Sequence, residues 1–227
     1  MPRGCAPARL VVSHHGEHHC WNQPLGAEVE FTIVGAGQVG RSLESALTTL
    51  GHQVRLARRA PEADNEVALA GSAQGCDAVI LATPFVATGE IVPQLGIGQG
   101  QLVIDATNPF GRAWPAGFST ADFSSGGEFV QSLIPQGHVV KCFNVIGYEH
   151  MDRPQFAGVA PFMPVCGNDA EAKEGVLALA ATMGFDAHDI GDLSKAALVE
   201  NMGLLWGALR DVQGARNFAF GLLRGQN

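Results

Sequence analysis

The sequence predicts an α/β protein with a Rossmann-type doubly wound, mostly parallel sheet and a C-terminal helical extension. The first observation is a G-x-G-x-x-G stretch between a short apolar run, which starts at Glu28, and an amphipathic helical pattern. The second is a series of short, continuously apolar segments that end in small polar residues, a pattern typical of parallel strands covered on both faces. The length of 227 residues suits one substantial core, or one core with a small appendage.

The composition excludes several classes of protein. A formal net charge of -8 argues against a nucleic-acid partner, because such proteins neutralise phosphates with broad basic surfaces. No uncharged apolar run approaches the roughly 18 residues that span a bilayer, and the opening apolar patch is too short for a signal peptide. The five cysteines are scattered without a C-x-x-C pair, which is typical of free thiols in a reducing compartment. We therefore expect a cytoplasmic protein with no membrane or nucleic-acid partner.

Residues 1–27 are the least regular part of the sequence. The stretch "SHHGEHHCW" contains four histidines and a cysteine, His14, His15, His18, His19 and Cys20. Two histidines three or four residues apart on a helix can share a metal ion. The segment lacks the hydrophobic periodicity of a helix, however, and coil-like sequences flank it. We predict a flexible tail, assign no metal to it, and expect its deletion to leave cofactor affinity unchanged.

The glycine-rich turn predicts a dinucleotide ligand. It joins the strand-like "EVEFTIV" to a helix whose apolar face contains Val39, Leu43, Ala46, Leu47 and Leu50. In such a turn the first glycine permits the tight bend, the second lets the backbone approach a pyrophosphate, and the third lets the helix pack closely. The helix N-terminus then offers N–H groups and a partial positive charge to the phosphates. The predicted contacts are Gly35, Ala36, Gly37, Gln38, Val39 and Gly40.

The second predicted strand ends in "LARRA", which distinguishes between the two nicotinamide cofactors. NAD sites commonly place an acidic residue here for the ribose 2′-hydroxyl, whereas NADP sites place arginine for the 2′-phosphate. Arg58 and Arg59 occupy these positions, and a guanidinium binds phosphate in bidentate fashion. The alternative is that one of the two arginines is a solvated surface charge. We predict that Arg58 or Arg59 contacts the phosphate and that the cofactor is NADP.

Two further apolar segments predict the walls of the cofactor site. "DAVILATPF" and "QLVIDATNPFG" each end in small polar residues and a proline, and the helix-like "VATGEIVPQL" lies between them. Ligands of open parallel sheets lie at the carboxyl ends of the strands. Each proline could instead simply end its strand. The predicted wall residues are Ala82, Thr83, Pro84 and Phe85 after one strand, and Thr107, Asn108 and Pro109 after the next.

The segment "HVVKCFNVIGYEHM" predicts a sixth strand, which is followed by Asn144, Tyr148 and His150. Tyr148 or His150 could donate a proton to a substrate near the nicotinamide, and packing within a loop is the alternative. Lys141 lies inside the apolar strand with no carboxylate neighbour, so it is not assigned the role of a catalytic amine.

The C-terminal part predicts a helix over residues 169 to about 183 with Asn168 as its N-cap, then the strand "FDAHDI", then helical segments from Leu193 onward. The late helix "AALVENMGLLWGALRDV" is apolar over most of its circumference. Such a helix is buried in a core or against another subunit, so we expect a homodimer built through this segment. Its polar exceptions, Glu200 and Asn201, either line a pocket or face solvent.

Seven features occur in a recognisable order: "TIVGAGQVG", the arginine pair, "VILATPF", "VIDATNPFG", "VVKCFNVIG", "VCGNDAEAK" and "LVENMGLLW". In this order they resemble the NADP oxidoreductases that work with the deazaflavin coenzyme F420, a family similar to the reductase domain of the STEAP metalloreductases. The resemblance spans about Val29 to Phe220, and its discriminating pieces are "DATNPFG", "KCFN" and the late helix. The chain departs from the archaeal members at Gln38, where they have threonine.

The resemblance implies that NADPH lies across the sheet edge and that a deazaflavin or flavin-like second substrate stacks near its nicotinamide. It assigns NADP binding to Gly35, Gly37, Gly40, Arg58, Arg59, Thr83 and Pro84. It places Asn108, Asn144 and Tyr148 beside the second substrate, and Pro109 completes the predicted substrate pocket.

The sequence therefore predicts a flexible tail at 1–27, an NADP-binding Rossmann domain at 28–150, and C-terminal strands and helices at 151–227 that complete the domain. No catalytic residue is assigned, because hydride transfer between two ring cofactors requires positioning rather than covalent catalysis. Two alternatives stay open. One is an NADPH-dependent reductase of a small imine, ketone or acid, which needs a proton donor such as Tyr148 or His150. The other is a non-catalytic NADPH-binding sensor.

Overall fold

An eight-stranded sheet forms the centre of the computed structural model, which describes residues 28–109, 114–156 and 158–225. Its strands are β1 (Glu30–Val34), β2 (Gln53–Arg58), β3 (Glu66–Ala68), β4 (Ala78–Leu81), β5 (Leu102–Asp105), β6 (His138–Lys141), β7 (Phe162–Gly167) and β8 (Asp186–Asp189). The spatial order is β3-β2-β1-β4-β5-β6-β7-β8. All neighbouring strands are parallel except β6 and β7. The predicted fold class is confirmed.

Five α-helices connect or cover the strands in the described part of the chain. They are α1 (Gln38–Thr49), α2 (Thr88–Ile91), α3 (Gly126–Leu133), α4 (Ala170–Thr182) and α5 (Ala196–Gln213). Short 3-10 turns flank α2 and precede α5. None of the helices in these described ranges is long and apolar enough to cross a membrane. The predicted tail at 1–27, with its histidines, lies outside the described residues.

The burial of the central strands explains why their sequences are continuously apolar. Every residue of β4 and β5 is buried, because helices cover both faces of the parallel sheet. Helix α1 buries Gly40, Leu43, Ala46 and Leu47 against this sheet, as its apolar spacing predicts. Leu50, predicted on the same face, is instead the exposed C-cap of the helix.

The strand order reverses beside β1, which pairs with β2 on one side and β4 on the other. In open parallel sheets, such a reversal leaves a crevice at the carboxyl ends of the strands, where ligands bind. The glycine turn follows β1 at this edge, and the loops that follow β2, β4, β5 and β6 begin there too. The fold therefore brings most of the predicted site residues to one edge of the sheet.

The C-terminal elements extend the sheet rather than form a separate layer. Strand β7 pairs antiparallel with β6, and β8 pairs parallel with β7. Helix α4 begins after Asp169, whose carboxylate accepts a hydrogen bond from the Ala172 backbone N–H at 2.8 Å. The predicted N-cap, Asn168, was wrong by one residue, because its side chain instead accepts a hydrogen bond from the Leu193 N–H.

Helix α5 packs one face on α3 and the sheet and leaves the other exposed. The inner face contains Ala196, Val199, Glu200, Gly203 and Trp206. On the outer face Leu198 and Leu205 are exposed. The helix is therefore only half buried within one chain. Helix α3 was not apparent from the sequence because it begins with two glycines, which have low helix propensity.

Candidate dinucleotide site

The three glycines of the turn after β1 meet three different steric conditions. Gly35 has a φ of +115°, and a Cβ there would lie 2.7 Å from the Ala82 carbonyl oxygen. A Cβ at Gly40 would lie 1.9 Å from the Gly35 carbonyl oxygen, so only glycine fits. Around Gly37, in contrast, nothing lies within 4 Å of an added Cβ. Gly35 and Gly40 are thus required by the fold, whereas the open space at Gly37 is available to a ligand.

The N-terminus of α1 faces the same turn. The helix begins at Gln38, and its N-cap, Gly37, provides no side-chain hydrogen bond. The first N–H groups of a helix have no partner within the helix, and together with the helix dipole they attract an anion. No acidic residue lies in the first turn of α1 to compete for this position. The geometry fits the diphosphate of a dinucleotide.

Arg58 and Arg59 lie at the end of β2, next to the glycine turn in the sheet. The Gly35 N–H donates to the Ala57 carbonyl at 2.9 Å, so the turn and the strand end are directly joined. The Arg58 side chain is half-buried between two carboxylates, those of Glu62 and Glu66. The Arg59 side chain is 69% exposed, and the one ion pair it makes among the described residues is with Glu90, at 3.4 Å.

Two residues of this cluster, Glu66 and Arg41, were missed from the sequence. The Glu66 carboxylate is buried at the start of β3 and accepts a hydrogen bond from Arg41 at 2.6 Å and another from the Glu62 backbone N–H at 2.7 Å. The Glu62 N–H, followed by Arg41, lowers the pKa of Glu66. The carboxylate therefore holds one arginine from α1 and one from β2. Only the pairing of β2 with β3 reveals this proximity.

The loop after β4 supplies Ala82, Thr83, Pro84 and Phe85. The Thr83 hydroxyl oxygen is buried and has no hydrogen-bond partner among the described residues. Pro84 is exposed. Phe85 is buried against Phe129 and the Trp114 ring, whose centroid lies 5.1 Å away. Phe85 thus supports the loop from the core.

The two asparagines predicted beside the second substrate contact each other. The Asn108 side chain donates to the Asn144 carbonyl at 2.8 Å, and the Asn144 side chain donates to the Asn108 Oδ1 at 2.9 Å. A Cβ at Gly203 would lie 2.8 Å from the Asn144 carbonyl oxygen, so this glycine lets α5 approach the pair. The Asn144 Oδ1 is buried without a partner among the described residues. Pro109, the next residue, is half-buried.

Phe143, which directly precedes Asn144, has a φ of +63°. It is the only non-glycine residue with positive φ in the described part of the chain. A bulky side chain in this conformation is strained by about 1–3 kcal/mol, and such strain is concentrated at functional sites. The backbone turn at Phe143 sets the position of Asn144 at the end of β6.

Tyr148 lies beside the first turns of α1. Its hydroxyl accepts a hydrogen bond from the Gln38 side chain at 2.8 Å, and its carbonyl accepts one from Ser42 at 2.6 Å. The Arg216 guanidinium carbon lies 4.9 Å from the centre of its ring. Tyr148 is therefore held beside the start of α1. His150 packs on Phe156, with ring centroids 4.8 Å apart.

Lys141 has carboxylate neighbours, contrary to the prediction from the sequence. Its ammonium lies 3.0 Å from Asp105 on β5 and 3.1 Å from Glu200 on α5, and it donates to the Thr107 carbonyl at 2.6 Å. The Asp105 carboxylate also accepts hydrogen bonds from the Thr107 N–H and hydroxyl. Burial lowers the pKa of Lys141, but the charges of Asp105 and Glu200 outweigh it, so the net pKa is raised. The prediction failed because the partners come from a neighbouring strand and a distant helix.

Glu200 also binds the N-terminus of α3. Its two carboxylate oxygens accept hydrogen bonds from the N–H groups of Gly126 and Gly127, each at 3.0 Å. A carboxylate at a helix N-terminus is favoured by the helix dipole. Glu200 is thus neither solvent-facing nor pocket-lining. Asn201, the next residue, is exposed.

These features fit a dinucleotide at the carboxyl edge of the sheet. The open space at Gly37, the uncapped start of α1, and the orphaned oxygens of Thr83 and Asn144 all lie in the loops at this edge. In the part of the chain that the structure describes, no group of three His, Cys, Asp or Glu side chains is placed to hold a metal ion.

Comparison with known families agrees with this geometry. Residues 30–109, from β1 to the loop after β5, match the family described as "NADP oxidoreductase coenzyme F420-dependent". Over this range the chain is similar to the coenzyme F420-dependent NADP oxidoreductases. A putative F420-dependent NADP-reductase from Arthrobacter sp. FB24 is 29% identical, with a TM-score of 0.77 over 86% of this chain and 100% of that one.

Two curated relatives extend the comparison. The F420-dependent NADP reductase of Methanocaldococcus jannaschii is 31% identical over 132 residues, which are 55% of this chain and 57% of that protein. Metalloreductase STEAP3 of Rattus norvegicus is 28% identical over 179 residues, which are 74% of this chain and 35% of that protein. The chain thus spans about a third to just over half of the length of these relatives.

Proposed function

We propose that the protein binds NADP(H) and transfers a hydride between it and a deazaflavin or flavin-like acceptor. The observation that carries the proposal is the glycine turn with an open Gly37, joined to a strand that ends in Arg58 and Arg59. The names of two relatives, the F420-dependent NADP reductase of Methanocaldococcus jannaschii and the putative F420-dependent NADP-reductase of Arthrobacter sp. FB24, support the acceptor class. The free thiols of Cys76, Cys142 and Cys166 support a cytoplasmic location.

Different residues would bind the different parts of the dinucleotide. The N–H groups at the start of α1 would bind the diphosphate, with Ala36, Gln38 and Val39 lining the turn. Arg58 and Arg59 would bind the 2′-phosphate. The loops after β4 and β5 would border the nicotinamide through Ala82, Thr83, Pro84, Thr107 and Asn108, with Phe85 packed behind. When bound, NADPH supplies the hydride.

The protein's own contribution to the reaction is positioning. The mutual hydrogen bonds of Asn108 and Asn144 join the ends of β5 and β6. Because Gly203 has no side chain, α5 packs closely against this pair. Reacting carbons held about 3 to 3.5 Å apart recover much of the entropic part of the barrier. Asn108, Pro109 and Asn144 would form the wall for the acceptor. Tyr148 would act at the glycine turn, where Gln38 holds its hydroxyl.

The arginine pair gives the direct test of the cofactor. Replacing Arg58 and Arg59 together by alanine is expected to weaken NADPH binding roughly ten- to a hundredfold, because charge-assisted hydrogen bonds to the 2′-phosphate are lost. NADH affinity should stay nearly constant, and Arg58→Asp should repel the phosphate further. Isothermal titration with both nucleotides measures these changes. Arg210→Ala, which removes a half-buried arginine of α5 that pairs with Asp211, is the control. Equal losses of both nucleotides in the double variant would show that the arginines do not bind the phosphate.

An acceptor panel separates the proposed reaction from the two alternatives. NADPH oxidation is measured with a deazaflavin, a flavin, a ferric chelate and a cyclic imine. Turnover with the deazaflavin or flavin is the expected result. Turnover with the imine alone would indicate a reductase of small substrates. Tight NADPH binding without turnover of any acceptor would indicate a sensor.

We further propose that two copies of the chain associate through the outer face of α5. Leu198, Leu205 and Val212 are exposed there and lie seven residues apart, so they form one stripe. Exposed apolar side chains along one face of a helix offer a surface that another chain can cover. A two-fold axis would bring the same stripe of both copies together.

A further inference from the structure

Arg58 holds a carboxylate on its outward side. Both terminal nitrogens of its guanidinium donate to Glu62, one to each carboxylate oxygen, at 3.1 Å. On the inward side, one of the same nitrogens lies 3.3 Å from the buried Glu66. The Glu62 side chain is 70% exposed, whereas that of Glu66 is 1% exposed. The outward pair is therefore the one that an incoming ligand would meet.

The paired geometry at Glu62 is the one that a phosphate requires. A guanidinium binds a phosphate through two parallel N–H···O bonds, as it binds a carboxylate. The two nitrogens that would serve the 2′-phosphate are thus already engaged by Glu62. We propose that Glu62 competes with the 2′-phosphate of NADP for Arg58 and so sets the margin between NADPH and NADH. This inference rests on the proposed NADP-binding function.

Backbone contacts fix Glu62 beside Arg58. Its backbone N–H donates to the Glu66 carboxylate at 2.7 Å, and Glu66 is itself bound by Arg41. The loop between β2 and β3 is therefore fixed at this point while the Glu62 side chain remains exposed. The side chain can leave Arg58 by rotating into solvent, without a change in the backbone.

The neighbouring Arg59 pairs with an acidic residue much more weakly than Arg58 does. Arg59 meets Glu90 through a single contact of 3.4 Å, and both side chains are about two-thirds exposed, at 69% and 68%. A single long contact competes less than a bidentate one. Glu62 is therefore the acidic residue that controls the phosphate site.

The size of the effect follows from the exposure of the pair. Exposed ion pairs are weak, so the presence of the Arg58–Glu62 pair, which must break before the 2′-phosphate binds, lowers the affinity for that phosphate only about two- to fivefold. NADH does not use the phosphate site and gains nothing from the removal of Glu62. The residue therefore narrows the preference for NADPH without abolishing it.

The test uses the full chain and two small probes, adenosine 2′,5′-bisphosphate and adenosine 5′-monophosphate, which differ only by the 2′-phosphate. Their dissociation constants are measured by titration for the wild type, Glu62→Gln and Glu62→Ala. Both variants should bind the bisphosphate about two- to fivefold more tightly than the wild type and the monophosphate equally well. Asp64→Asn, in the same loop, makes the same change in net charge and is the matched control, with no expected effect. In the described ranges, Asp64 makes no ion pair.

The outcomes separate this inference from the proposed function. If the wild type prefers the bisphosphate but neither Glu62 variant changes its affinity, the competition is refuted and NADP binding stands. The competition is also refuted if Asp64→Asn has the same effect as Glu62→Gln, because net charge alone then explains the change. If the wild type binds the two probes equally, both the phosphate site and the inference about Glu62 fail.

Discussion

At the scale of single residues, the three glycines of the turn show how one motif combines structural and binding requirements. Gly40 is required because a Cβ there would lie 1.9 Å from the Gly35 carbonyl oxygen. Gly37 has a φ of −79° and free space around an added Cβ, so the fold itself accepts alanine there. The difference between the two positions separates the stability of the turn from its capacity to bind.

We predict that Gly37→Ala leaves the free energy of unfolding within about 0.5 kcal/mol of the wild type and weakens NADPH binding at least tenfold. The added methyl group would occupy the space that a diphosphate needs. Gly40→Ala should lose stability as well as binding, because its methyl group meets backbone. Urea denaturation and NADPH titration of both variants measure the two quantities. Unchanged NADPH affinity in Gly37→Ala would contradict the placement of the diphosphate.

Some of these residue roles can be predicted from the sequence, and others depend on contacts between distant segments. The roles of Gly35 and Gly40 follow from a local motif, because strand, turn and helix are contiguous in the chain. The neighbours of Arg58 do not, since Glu66 comes from β3 and Arg41 from α1. The exposed Glu62 is four residues from Arg58 in the sequence, yet only the structure shows that it binds both terminal nitrogens of the Arg58 guanidinium.

At the scale of elements, Lys141 joins four parts of the fold. It links β6 to Asp105 on β5 and to Glu200 on α5, and Glu200 in turn binds the first N–H groups of α3. A lone lysine and a lone aspartate in two apolar strands indicate a buried pair, and this signal was available in the sequence. The third partner was not, because Glu200 lies on a helix almost sixty residues further along the chain.

We predict that Lys141→Met destabilises the protein by about 3–5 kcal/mol, because it leaves two buried carboxylates without their cation. Lys195→Met, at an exposed position before α5, should change stability by less than about 0.5 kcal/mol. Denaturant unfolding of the two variants provides the comparison. A loss in Lys141→Met no larger than that in Lys195→Met would show that the network contributes little.

The network also predicts a dependence on alkaline pH. Because the folded-state pKa of Lys141 is raised above the ordinary 10.5, its contribution to stability is complete below that pH. It declines as the pH rises from 10.5 through the raised pKa, since the unfolded chain loses the proton first. Wild-type stability should therefore fall over this range more steeply than that of Lys141→Met.

At the scale of the whole molecule, α5 has two faces with different tasks. On the inner face, Glu200 binds the N-terminus of α3, and Gly203 packs closely against Asn108 and Asn144. The outer face exposes Leu198, Leu205 and Val212 at 62%, 53% and 86%. The sequence predicted an apolar helix that needs cover, and only the structure distinguishes the stripe that the chain covers from the stripe that it leaves open.

The exposed stripe leads to the final prediction, that Leu205→Glu converts a homodimer into a monomer. Leu205 lies in the middle of the stripe, so a two-fold axis through it would bring two carboxylates together in an apolar contact, where burying an unpaired charge is costly. Val159→Glu, at an exposed position outside α5, is the matched control and should leave the dimer intact. Light scattering at micromolar protein measures the mass of each form. Because Leu205 is exposed within one chain, the variant should keep its fold and its NADPH affinity. A monomeric mass for the wild type would refute the dimer, and a dimeric Leu205→Glu would place the interface elsewhere on the molecule.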